Sequence, residues 1–221
     1  MKRYAPLLTL VAVVVLGAAL FTVNSLNNPA NQQAGQAGAA APAAAAPAEP
    51  PAPAVAPPAV AEKAYAGRSS GNEVTVAIAV KDGRAVAYVC NGKKIEAWLE
   101  GTLQGDKLAL SGKNGASITG TASDASSFGE VAAAGKTWPF SAKGVAAPAG
   151  LYEGRADVRG VATRIGWVVE GDGRVTGSYT DANGVTDTAP PLDPADPNGV
   201  TVDGVPVTVT SIDGADSVVA R

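Results

Sequence analysis

Lys94-Ile95-Glu96-Ala97-Trp98-Leu99-Glu100 is the segment whose residue types are best suited to chemistry. In an extended strand successive side chains point to opposite faces, so Glu96, Trp98 and Glu100 share one face and Ile95, Ala97 and Leu99 the other. An indole flanked by carboxylates can stack a sugar ring or hold a cation, which makes Glu96, Trp98 and Glu100 the candidate binding residues. The competing reading has Trp98 packed at a sheet rim with both glutamates solvated. For hydrolysis the pair is poorly spaced, because the intervening strand puts Glu96 and Glu100 about 13 Å apart. That is wider than a glycosidase pair uses.

Oxygen ligands crowd a later stretch containing Asp181, Asn183, Asp187, Asp193, Asp196, Asn198 and Asp203. Asp193, Asp196 and Asn198 are the candidate ligands for a weak Ca²⁺ site, although the spacing departs from an EF-hand loop and Pro190, Pro191, Pro194 and Pro197 interrupt it. Turn formation draws on the same residue types and is the alternative.

Other chemistry is restricted by what the chain lacks. Histidine is absent, which removes Ser-His-Asp and Cys-His catalysis and His-based metal sites. The single Cys90 has no intramolecular partner and reads as a small buried hydrophobe, with an intermolecular disulfide as the alternative. Ser111-Gly112-Lys113 and Ser141-Ala142-Lys143 lack the Ser-x-x-Lys spacing of acyl enzymes. Gly112-Lys113-Asn114-Gly115 has no strand-turn-helix setting and reads as a hairpin turn, so no phosphate cradle and no cofactor are expected. A net charge of −3 offers no cationic footprint for nucleic acid.

The elements that must position these residues follow in chain order. Ala5 to Val23 is uncharged and apolar, and as a helix it reaches about 28 Å, the hydrocarbon thickness of a bilayer. Lys2 and Arg3 precede it, so the positive-inside rule keeps the N-terminus cytoplasmic and sends the rest outward. Residues 1–26 are therefore read as a single-pass membrane anchor contacting lipid through residues 5–23, with cleavage near Ser25 and secretion as the alternative. Residues 27–62 are an Ala/Pro-rich linker that cannot build a core and is expected to be disordered. In polyproline II it can reach on the order of 100 Å.

From Tyr65 onward short Val, Ile, Thr and Ala runs alternate with Asp-Gly and Asn-Gly pairs, the spacing of an all-β domain. Val74, Val76, Ile78 and Val80 alternate with Thr75, Ala77 and Ala79, which predicts a half-buried strand. Runs at Ala85–Cys90, Ile95–Leu103, Lys107–Ser111, Ala116–Ala122, Phe128–Ala132 and Thr137–Ala142 continue as an antiparallel meander over residues 63–147. So many hairpin-linked strands close into a barrel or fold over as a sandwich. Residues 148–221 form a second, more acidic β half with echoes of the first: Tyr65-Ala66-Gly67-Arg68 beside Tyr152-Glu153-Gly154-Arg155, Asp82-Gly83-Arg84 beside Asp172-Gly173-Arg174, and Tyr88 beside Tyr179. Arg68 and Arg155 are expected to serve as structural cations.

A short basic start, one anchor, an Ala/Pro spacer and a Gly/Val/Asp-rich β domain resemble the uncharacterised exported proteins of high-GC actinobacteria. The resemblance carries no activity; the layout and the absent histidine lead to the expectation of a membrane-tethered, extracytoplasmic, non-enzymatic β module that binds a cell-envelope component or a protein partner, cell wall included. A structural or accessory envelope protein, and an envelope hydrolase working through carboxylates, are the alternatives.

Overall fold

The structure, a computed structural model, describes residues 62–181 and 183–216. Apart from Glu62, the anchor (1–26) and linker (27–62) expected from the sequence lie outside the described residues. Among those described, no helix is long and apolar enough to cross a membrane.

The described residues are all-β and antiparallel. Strands β1 (Lys63–Ser69), β2 (Thr75–Lys81), β3 (Arg84–Cys90), β4 (Glu96–Gln104), β5 (Lys107–Gly112), β6 (Ser117–Ala122), β7 (Ser126–Ala133) and β8 (Lys136–Val145) follow one another around a closed barrel. β8 returns to β1, with Ala64 opposite Val145 and Ser69 opposite Phe140. Closure leaves the meander no open edge of its own. Then come β9 (Gly150–Val158), β10 (Val161–Val169), β11 (Val175–Thr180), β12 (Thr186–Thr188), β13 (Thr201–Val202), β14 (Val205–Pro206) and β15 (Thr208–Ser211). They make a five-stranded sheet in the order β12-β11-β10-β9-β15, plus the small β13–β14 hairpin.

Several hairpins turn where the Gly pairs predict. Asp82-Gly83 (φ 51° and 74°) and Asp203-Gly204 (φ 49° and 78°) take the left-handed pair that these residue types accept cheaply. Ala134-Gly135 (φ 50° and 73°) and Arg159-Gly160 (φ 54° and 78°) do the same with no such signal in their first residue. Asn91-Gly92 works differently: Asn91 Oδ1 accepts the N–H groups of Lys93, Lys94 and Ile95 at 3.1, 2.8 and 2.9 Å.

Inside the barrel, Tyr65, Val74, Val76, Ile78, Leu99, Ile118 and Val131 are almost wholly excluded from solvent and fill the interior with side chains. The half-buried expectation for β2 fails, because Ala77 and Ala79 on its outer face are buried too. The second sheet lies against the barrel there. Ala66, Ala77, Ala79, Val86, Tyr88 and Cys90 on the barrel wall meet Leu151, Val168 and Ile212. Small residues permit the approach: a Cβ on Gly166 would come within 2.3 Å of the Tyr88 ring.

Polar ties fix the register of this contact. Arg68 grips Glu170 with Nε 2.9 Å from Oε2 and 3.1 Å from Oε1, and Nη2 2.6 Å from Oε2. The Tyr88 hydroxyl donates to Ser178 O at 2.9 Å and accepts from Ser178 N at 3.2 Å. On the far face of the second sheet, Ile165, Trp167 and Val169 pack under Leu192, Val200, Val202 and Val207. Trp167 Nε1 donates to Pro190 O at 2.8 Å.

Arg68 and Arg155 are structural cations as expected, each bound to a buried glutamate. The echo of Tyr88 in Tyr179 does not hold. Tyr88 points into the contact between layers, whereas Tyr179 packs on the far face of its sheet. Counting from the Asp-Gly turns, the counterpart of Tyr88 is Ser178, which lies opposite Gly166 as Tyr88 lies opposite Ala77. A one-residue slip exchanges the faces of a strand.

Candidate functional site

Where β11 ends, the layers part and a cleft of about 440 Å³ opens between the barrel rim and β10. Its barrel side is Lys94 to Trp98 with Lys113, Asn114, Ala116 and Ala134. Ala162, Arg164, Thr180 and Thr186 complete it. The volume falls within the range of small-ligand sites.

The β4 alternation works as the sequence predicts, placing Glu96 and Trp98 on the outer barrel face. The second sheet then converts that face into a polar contact. Thr180 Oγ1 donates to Glu96 Oε2 at 2.5 Å, and Trp98 Nε1 lies 3.3 Å from Glu96 Oε1. The Tyr88 hydroxyl lies 3.3 Å from the same oxygen, but its single proton serves the closer Ser178 carbonyl better. The Trp98 ring is already engaged: Arg164 Cζ stands 3.7 Å from its centroid, and Tyr88 packs beside it at 4.4 Å and 47°. A sugar stacking where Arg164 sits would have to displace the guanidinium.

Arg164 is held in turn by Glu153, which is 5% exposed. Glu153 Oε1 accepts from Arg164 Nε at 2.7 Å and also from Arg155 Nη2. Two guanidinium groups on one buried carboxylate fix its position. Burial pulls the Arg164 pKa below its usual value, and the neighbouring Glu153 opposes the fall. Burial likewise raises Glu96 above the ordinary carboxylate range, against the hydrogen bonds from Thr180 and Trp98 and the charge of Arg164.

Of the sequence candidates, Glu96 and Trp98 meet in the cleft. Glu100, half-buried two residues further along β4, does not line it. Arg164, Thr180 and Tyr88 were missed. For Arg164 a signal existed: it is a cation inside an apolar strand, on the same face as Gly166 and Val168.

Asp193, Asp196 and Asn198, the candidate Ca²⁺ ligands, lie in a turn-forming stretch before β13. Asp193 Oδ1 accepts from Ala195 N at 2.9 Å, Asp196 precedes the short 3-10 turn Pro197–Gly199, and Asn198 is exposed. Among the described residues no group of three His, Cys, Asp or Glu side chains converges. Asp181 likewise spends Oδ1 on Asn183 N and Val185 N at 2.9 and 2.8 Å, as turn chemistry requires. Asp193 borders a larger depression of about 560 Å³. That lining is mostly Gly, Ala and Pro, and its Glu170 is taken by Arg68.

No family model and no curated protein matches the sequence. Among solved structures, the crystal structure of a Nitrosomonas europaea protein named as an AttH is similar over 58% of this chain and 67% of that one. Identity is 10% and the TM-score 0.18, too low to transfer anything to this chain.

Proposed function

We propose that the protein is a membrane-tethered, extracytoplasmic β module that binds a cell-envelope component or a protein partner without catalysing a reaction. The observation that carries this reading is the cleft at the end of β11, where buried Glu153 holds Arg164, buried Tyr88 packs on Trp98 and Thr180 bonds Glu96, beside the exposed Lys94 and Lys113. Preorganised polar groups at a concave junction are what recognition requires, since side chains already fixed lose little entropy on binding. Glu96 is the one carboxylate lining the cleft among the described residues, whereas glycoside hydrolysis by a carboxylate pair needs two. The tether is argued from residues 5–23, and the linker holds the domain away from the lipid surface.

Two measurements test this. Protease added to intact cells should remove a C-terminal tag while an N-terminal tag survives; the reverse result contradicts the topology. Titration of envelope oligosaccharides should change the tryptophan fluorescence of the wild type and change it less in Trp98→Phe. A flat response to both envelope oligosaccharides and protein ligands would contradict a binding role.

A further inference from the structure

Asn91-Gly92, Asn114-Gly115, Asn183-Gly184 and Asn198-Gly199 each put a glycine directly after an asparagine. Such pairs serve turns well, but asparagine amides are also thermolabile. With no side chain on the glycine to hinder it, the glycine nitrogen can close a five-membered ring onto the asparagine side-chain carbonyl. The fold treats the four pairs differently. Asn91 is half-buried, and turning its carbonyl toward Gly92 would strip the N–H groups of Lys93, Lys94 and Ile95 of their acceptor. Asn183 donates through N and Nδ2 to the Asp181 carboxylate at 2.9 and 3.3 Å, and Gly184 N donates to Asp181 O at 3.0 Å. Asn198 sits in the 3-10 turn Pro197–Gly199, where Gly199 N donates to Asp196 O at 3.3 Å. The Asp196 carboxylate lies beside Gly199, and its charge opposes loss of the amide proton.

Asn114 has none of these restraints. It is exposed, its side chain makes no hydrogen bond among the described residues, and no atom lies within 4 Å of where a Cβ on Gly115 would stand. Its backbone, at φ 55° and ψ 32°, holds the Gly115 nitrogen away from the side chain, so the ring closes when this exposed turn opens. We infer that Asn114 is a modification site, at which the side-chain amide is converted to a carboxylate by way of Gly115. The Gly115 nitrogen gives its proton to base and attacks Asn114 Cγ; the new C–N bond forms, the Cγ–Nδ2 bond breaks and ammonia leaves. Water then opens the cyclic imide, at Cγ to leave an aspartate or at the backbone carbonyl to leave an isoaspartate. Asn114 lines the cleft, so the product adds a negative charge to that wall beside Lys113, and the isoaspartate lengthens the backbone by one methylene. The reaction itself does not depend on the binding role proposed above.

The test holds the full-length chain in detergent micelles at mildly alkaline pH, with a parallel sample in guanidinium chloride. Proteolytic peptides from both are followed by mass spectrometry, with isoaspartate and aspartate forms separated by chromatography. In denaturant the four asparagines should convert at comparable rates. In the folded protein Asn114 should convert about tenfold faster than Asn91, Asn183 or Asn198, because the opening of its turn breaks the fewest bonds. Isoaspartate should accompany aspartate, since a cyclic imide opens at either carbonyl whereas direct hydrolysis of the amide gives aspartate alone. Equal rates at the four positions of the folded protein, faster conversion at another of them, an Asn114 that stays intact, or aspartate without isoaspartate overturns the inference. Titration of envelope oligosaccharides against the tryptophan fluorescence of fresh protein reports on the binding role separately.

Discussion

Cys90 and Glu96 both sit where the second sheet covers the barrel wall, and burial acts on each in a measurable way. The Cys90 thiol, fully buried with Sγ 3.7 Å from Thr176 O, is pushed up to about 12 by loss of solvent. Its thiolate fraction at pH 8 is then on the order of one in ten thousand. Iodoacetamide should leave the native protein unlabelled and react only after denaturation; prompt stoichiometric alkylation at pH 8 would show that the layers open. For Glu96 the shift is upward, so the folded chain holds a proton that the unfolded chain releases as pH rises. Stability contributed by this site is therefore present below the unfolded carboxylate pKa and lost as pH climbs through the folded one. Glu96→Gln should raise the melting temperature at pH 7, with the gain fading toward pH 4. A variant less stable than wild type at pH 7 would mean that the bonds from Thr180 and Trp98 outweigh the burial cost.

At the scale of strands, the account turns on how closely β3 and β10 approach. Gly166→Ala places a methyl against the Tyr88 ring, and the clash should cost about 1–3 kcal/mol in urea unfolding. A neutral result would mean that the two layers can separate without loss. The strands of the barrel were legible because large and small residues alternate through them and Gly pairs punctuate them. The second layer was not legible as a partner, because Ala77 and Ala79 look like the small outer residues of a half-buried strand whether or not a sheet covers them. Glu96 and Trp98 could be placed on one face from alternation alone. Arg164, distant in sequence, enters their site only when β10 is laid over the barrel, a contact that strand periodicity does not encode. The aspartates near Asp193 were ambiguous for a different reason: turns and Ca²⁺ sites use the same oxygen atoms, and only the loop geometry separates them.

For the whole molecule, barrel and second sheet share the buried cluster of Ala66, Ala77, Val86, Tyr88, Leu151 and Val168, and both belong to one compact unit. They should unfold together in a single calorimetric transition, and two resolved transitions would show that each layer is stable alone. Side chains fill the barrel interior, and the proposed binding role is assigned to the surface where the layers part. Hydrogen–deuterium exchange of the full-length protein, with and without isolated cell envelope, tests that assignment most directly. Slowed exchange at Lys94–Trp98, Lys113–Ala116, Val161–Arg164 and Thr180–Thr186 is the predicted result. Unchanged exchange in those segments, with protection appearing elsewhere on the domain, would contradict it.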